Sequence, residues 1–183
     1  MPGSEICKRA MIVCLLIHVL RVVHDTMVDG PGLRTSIYCA GCPHACLGCH
    51  NPQSWAFGQG ERMTTETLMN EILTDSFSDV TFTGGDPMAQ AAGFLDLAKV
   101  IREQTHKTIW CYTGFTFEDL LQNSTQRALL EELDVLVDGR FIASQKDEDL
   151  LFRGSRNQRL IDVKRSLSTQ KVVLWKADSV MAI

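Results

Sequence analysis

The chain has 183 residues, 45% of them apolar and 22% charged, with a net charge of −4. That size suits one compact domain spanning residues 1–183, and the composition excludes a disordered chain. The negative charge offers nucleic acid no bulk attraction, and the seven cysteines, four of them between Cys39 and Cys49, are too clustered for a secreted disulfide scaffold. They read as metal ligands in a reducing compartment, which favours the cytoplasm.

Lys8-Arg9 followed by the apolar run 10–20 has the outline of a signal peptide, but no small-residue cleavage site follows. The run is also shorter than the ~20 apolar residues that a membrane span needs, so no membrane partner is expected. Residues 1–10 read as a disordered extension, and Ile12 to Val23 as a buried strand. Asp29-Gly30-Pro31-Gly32 is a turn. Arg34 to Cys39 alternates as a second strand, with Ile37 and Cys39 on one face and Arg34, Ser36 and Tyr38 on the other. Thr64 or Thr65 caps a helix running to about Asp75. Asp79 to Thr83 is a short strand that stops at Gly84-Gly85, and Met88 to Glu103 is an amphipathic helix.

Further along, Lys107 to Tyr112 is a strand, Phe117 to Leu133 is helical with a break near Ser124, and Asp134 to Val137 is a strand. Leu160 to Val163 and Lys171 to Trp175 are weaker strand candidates. Alternating strands and helices imply right-handed βαβ units. Too few are present to close an eight-unit barrel of about 250 residues. The fold class is therefore α/β, a partial, open (β/α) barrel with a mainly parallel sheet. Ligand chemistry in such a sheet belongs at the C-terminal ends of the strands, where both the glycine-rich and the cysteine-rich segments begin.

Cys42-Pro-His-Ala-Cys46-Leu-Gly-Cys49 places three thiols in one tight loop. Thiolates are the usual ligands of a [4Fe–4S] cube. Three of them leave one iron free for another molecule, the open-position logic of catalytic metal sites. Cys39 also permits two rivals, a four-sulfur structural zinc site and a fully ligated electron carrier. Paired zinc knuckles are normally separated by ~15–20 residues, and Cys39 shares its strand face with Ile37 as a buried thiol would. Cys7, Cys14 and Cys111 read as unligated, the last two as core residues. His44 and His50 are potential ligands but read more simply as exposed loop histidines. Gly84-Gly85-Asp86 has two readings. It is either a ligand-binding turn, with unpartnered strand-end carbonyls and close backbone approach, or an ordinary turn in which Asp86 caps the next helix. Arg153 to Arg159 forms a local basic stretch, either a solvated loop or a partner contact. Asp29, Trp110 and Asp138 receive no role.

The cysteine loop resembles the signature of the radical S-adenosylmethionine superfamily. More closely, VDGPGLRT (28–35), CAGCPHACLGCHNPQSW (39–55), FTGGDP (82–87), WCYTGF (110–115), DVLVDGRF (134–141) and FRGSRNQRLID (152–162) together resemble the activating enzymes of anaerobic ribonucleoside-triphosphate reductase. The resemblance implies one [4Fe–4S] cluster on Cys42, Cys46 and Cys49, with S-adenosyl-L-methionine on the open iron. It implies reductive cleavage to methionine and a 5′-deoxyadenosyl radical, with an electron from flavodoxin or a similar low-potential carrier. The radical's target would be a glycine of the reductase large subunit, which then stores the radical. Gly84, Gly85 and Asp86 would meet the methionine end of the cofactor. Gly48 stands where the superfamily often has an aromatic residue, so His50, just after Cys49, would supply the ring for adenine. Alternatives within the superfamily are the activating enzyme of pyruvate formate-lyase and the synthase that makes carboxydeazaguanine; outside it, a non-enzymatic iron–sulfur electron carrier remains.

Overall fold

A computed structural model describes residues 15–177. The expectations for residues 1–10, Cys7, Cys14 and the first residues of the Ile12–Val23 strand lie outside these bounds. Strand β1 is Leu16–Thr26 and β2 is Arg34–Cys39. The turn between them is short, so the two strands pair antiparallel, Val22 opposite Ile37. A strand that the sequence did not signal follows: β3, Glu61–Thr64, pairs antiparallel with the outer side of β1. Its sequence Glu-Arg-Met-Thr carries one apolar residue, as suits an edge strand whose charges discourage further pairing.

Helix α1, Thr65–Leu73, begins where the Thr64 hydroxyl accepts the Thr67 N–H. Strand β4, Asp79–Gly84, lies parallel to β2. The expected helix after Gly85 starts as a 3-10 turn, Pro87–Gln90, and continues as α2, Ala91–Gln104. Strand β5, Ile109–Tyr112, is parallel to β4. The helical stretch after it breaks as expected, into α3, Phe117–Leu120, and α4, Ser124–Glu131, the latter capped by Asn123. Strand β6, Val135–Asp138, is parallel to β5; β7, Arg159–Asp162, runs antiparallel to β6, and α5, Val163–Thr169, follows.

The seven strands form one open sheet in the order β3-β1-β2-β4-β5-β6-β7. Its centre, β2-β4-β5-β6, is parallel as expected; both edges are antiparallel. Lys171–Trp175 is not a strand. It makes a single bridge, Leu174 to Ile161, and the Trp175 N–H donates to the Leu160 carbonyl at 2.8 Å.

The strands' alternation divides the molecule. Ile37, Phe82, Ile109, Cys111 and Leu136 face the helices and pack with Leu68, Phe94, Leu97, Ile101 and Leu129 in the main core. On the other face Trp110, Val137 and Leu160 form a smaller cluster, with Phe152 and Trp175 closing over Trp110. Asp134 ties the elements behind β5. It accepts from the Ile109 N–H at 2.7 Å, Arg102 at 2.6 Å and Lys164 at 2.6 Å. Burial opposes its ionisation, but these donors outweigh burial and hold its carboxyl below the usual aspartate range. A depressed folded-state pKa stabilises above the unfolded value of about 3.9 and loses that stabilisation as pH falls through the folded value. Denaturant midpoints measured from pH 6 down to pH 2 should therefore fall less steeply in Asp134→Asn than in the wild type; equal slopes would rule this linkage out.

Candidate active site

A cavity of about 360 Å³ opens where the parallel strands end. Tyr38 reaches it from β2, Thr83 to Gly85 from β4, Tyr112 to Gly114 from β5, and Gly139 to Phe141 from the loop after β6. That is where strand ends leave backbone groups without sheet partners and ligands collect. Cys42, Cys46, Cys49 and His50 line the same cavity.

The cysteine loop gains its shape from residues in left-handed backbone, Ala45 at φ 45° and Gly48 at φ 75°. At its start the Gly41 N–H donates to the Ser54 carbonyl at 2.7 Å and the Cys42 N–H to the Trp55 carbonyl at 3.1 Å. The Asp86 N–H donates to the Gly41 carbonyl at 2.8 Å, and the Gly85 N–H to the Cys39 carbonyl at 2.7 Å. A Cβ on Gly85 would stand 2.5 Å from the Gly41 oxygen. Glycine is required there because cysteine loop and β4 turn lie in backbone contact.

Burial raises the Cys42 thiol pKa, and the N–H groups of His44 and Ala45 offset this in part. The Asn51 N–H donates to the Cys49 sulfur at 3.3 Å. Among the described residues no three His, Cys, Asp or Glu side chains gather tightly enough to hold a single metal ion. A four-iron cube takes one thiolate per iron, so three thiols spread around one cavity suit it. Cys39 does not join them. It is wholly buried in the helix-side core, where desolvation pushes its pKa far up. Cys111 is likewise buried in that core.

Gly48 and Asp86 do not line the cavity. A Cβ on Gly48 would meet Phe141 at 3.4 Å, so this glycine packs against the far wall. Asp86 is fully buried behind the turn. Its carboxylate accepts from the Met88 N–H at 2.9 Å, Thr113 Oγ at 2.9 Å and the Gly114 N–H at 3.0 Å. Nor is the Gly84 carbonyl free, as the sequence suggested: Ser54 Oγ donates to it at 3.1 Å and Asn51 Nδ2 at 3.3 Å. His44 also differs from expectation. Its side chain is 4% exposed, and Nε2 lies 2.8 Å from Asp86 Oδ2. His50 is exposed as expected, its ring tilted against Phe141 at 5.2 Å between centroids.

Sequence reasoning missed the opposite wall. Tyr38 donates to Asp29 at 2.6 Å while Arg21 stacks over its ring at 4.3 Å. Burial first, then Asp29, pushes the Tyr38 pKa up to about 12, and burial also raises that of Tyr112, so both phenols stay neutral. The alternation of β2 already placed Tyr38 on the face away from the helices; nothing local placed Asp29 beside it. The basic stretch is largely consumed internally. Arg156 pairs with Asp147 at 2.8 Å, and Arg159 with Asp138 and Glu118 at 2.5 and 2.7 Å, while Gly154 and Gln158 line the cavity.

A family model described as a 4Fe-4S single cluster domain matches residues 28–161. Together with the three-cysteine loop on an open α/β sheet, this defines a radical S-adenosylmethionine enzyme. The anaerobic ribonucleoside-triphosphate reductase-activating protein of Vibrio cholerae is 39% identical over 141 residues, covering 72% of this chain and 89% of that protein. Its counterparts from Haemophilus influenzae and Escherichia coli K12 are 36% and 34% identical, over 72% of this chain and 89% and 90% of theirs. The chain belongs to the family of anaerobic ribonucleoside-triphosphate reductase-activating proteins, glycyl-radical activases that carry a [4Fe–4S] cluster.

Proposed function

We propose that Cys42, Cys46 and Cys49 each hold one iron of the cluster and that S-adenosyl-L-methionine occupies the adjoining cavity on a single domain built around the sheet. One observation carries this assignment: three thiols of one loop line the cavity, while Cys39 is buried in the core on the other side of the sheet. When bound and reduced, the cluster supplies the electron that splits the cofactor's C–S bond into methionine and a 5′-deoxyadenosyl radical.

The chain's own residues supply placement and dryness. Gly84 and Gly85 keep the wall beside the cysteines free of side chains, so a ligand can lie against backbone. His50 and Phe141 present ring faces for the adenine. Gly48 lets the loop turn against Phe141, and Asp86 acts from behind the turn rather than by touching the cofactor. Tyr38 and Tyr112 close the opposite side with neutral phenols that carry no charge to attract water or compete for the sulfonium.

The substrate on this reading is a glycine of the reductase large subunit, whose α-hydrogen the radical removes. The resulting radical is delocalised over the flanking amides and stays on that subunit. The electron donor is an external low-potential carrier of the flavodoxin kind, because the other described cysteines, Cys39 and Cys111, are buried in apolar core. No helix among the described residues is long and apolar enough to cross a membrane.

The test is to mix the anaerobically reduced protein, S-adenosylmethionine and the large subunit. Methionine, 5′-deoxyadenosine and a glycyl-radical signal in electron paramagnetic resonance are the expected products. Cofactor cleavage with the signal appearing only on pyruvate formate-lyase would reassign the partner, and no cleavage at all would leave the electron-carrier alternative.

A further inference from the structure

One side chain fastens the cysteine loop to the sheet, and catalysis as proposed leaves it without a task. His44 sits midway between Cys42 and Cys46 and is almost wholly enclosed, with its ring edge-on to Phe115 at 4.5 Å between centroids. Its partner Asp86 already accepts from Met88, Thr113 and Gly114, so the carboxylate can only accept and the His44 Nε2–H is the donor. One buried carboxylate thus gathers the cysteine loop, the β4 turn and the end of β5.

Gly114 shows that the space is reserved for the ring. A Cβ there would overlap the imidazole, with the His44 Cγ only 2.7 Å away, although the Gly114 backbone is not in the left-handed region. Nδ1 of the same ring is buried with no partner among the described residues. The ring also borders the cavity that Cys42, Cys46 and Cys49 line, so it stands between the cysteine loop and the strand ends.

We propose that His44 and Asp86 are positioning residues. The buried pair clamps the Cys42–Cys46 half of the loop onto β4 and β5, so the thiolates meet the cluster already arranged and the cluster is retained. This rests on the assignment of Cys42, Cys46 and Cys49 as its ligands. Outer partners that orient metal ligands typically change metal affinity about 10- to 100-fold when removed.

The full-length protein, reconstituted anaerobically with iron and sulfide, is exposed to an iron chelator while its charge-transfer absorption is followed. Spectra of the reduced cluster are taken by electron paramagnetic resonance, and melting of the metal-free protein is measured alongside. His44→Ala should lose its cluster about 10- to 100-fold faster than wild type, with an altered resonance line shape. His44→Gln, whose amide N–H can still donate to Asp86, should recover most of the retention although both variants melt alike when metal-free. Wild-type loss rate and line shape in His44→Ala would overturn the clamp, as would equally fast loss in the Ala and Gln variants. Should His44→Ala not fold, Gly114→Ala crowds the same ring; faster loss supports the clamp and an unchanged rate overturns it. A wild-type protein that takes up no four-iron cluster would instead overturn the ligand assignment beneath it.

Discussion

Cys42→Ala, Cys46→Ala and Cys49→Ala should each abolish cleavage of S-adenosylmethionine, whereas Cys39→Ala should leave it in place. The contrast follows from the pleat of β2. Tyr38 faces the cavity, so its neighbour Cys39 faces the helices and packs beside Ile37, Phe82 and Cys111. Burial holds its thiol protonated, and only a thiolate is a good iron ligand. Loss of a cavity-lining cysteine leaves two ligands on one loop, too few to retain the cube in its open form, so activity should fall below detection. Cys39→Ala deletes one small buried group and costs about 1 kcal/mol of stability. Iron content and 5′-deoxyadenosine yield of the four variants check this together. Cluster loss in Cys39→Ala would mean that the fourth cysteine is a ligand.

Arg34→Ala should destabilise the fold by about 2–4 kcal/mol, because it strips neutral buried acceptors of their donor and leaves a cavity. Arg34 is wholly buried at the start of β2. Its Nε donates to Thr81 Oγ at 2.6 Å, Nη2 donates to the Val80 carbonyl at 2.6 Å, and Nη1 lies 3.7 Å from Asp79. The guanidinium also lies over Trp110 at 5.3 Å. Desolvation lowers its pKa to about 10, partly offset by Asp79, so it remains a cation at neutral pH. Truncation would leave those acceptors unpaired and a cavity between β2, β4 and β5. Arg34→Lys should not rescue it, because an ammonium cannot reproduce the planar fork. Equilibrium denaturation of the metal-free proteins measures the difference; a loss below about 1 kcal/mol would show that the network is dispensable.

Arg34 also illustrates where sequence reading stopped. Alternation along Arg34 to Cys39 sorted the two faces correctly, but nothing local showed that the face carrying Arg34 is buried. Burial of that face comes from residues far away in sequence: Trp110 on β5, and Phe152 and Trp175 closing over it. The same contact explains the glycine at position 30, where a Cβ would stand 2.8 Å from the Arg34 side chain. The parallel centre of the sheet, the cysteine loop and its glycine turn were all legible, because each is carried by local spacing or by a period of two or 3.6. The antiparallel edge strand β3 was not, since its residues are polar and its pairing is set by β1. Asp86 was found for one reason and placed for another. The cap on Met88 is a local signal, but the contacts with His44, Thr113 and Gly114 join three segments that only the folded sheet brings together.

The most direct measurement is electron paramagnetic resonance of the reduced, reconstituted protein with and without S-adenosylmethionine. An iron that no side chain occupies predicts a reduced four-iron signal whose line shape changes when the cofactor is added, in wild type and Cys39→Ala alike. A signal indifferent to the cofactor, or stoichiometric zinc and no cluster signal at all, would contradict it.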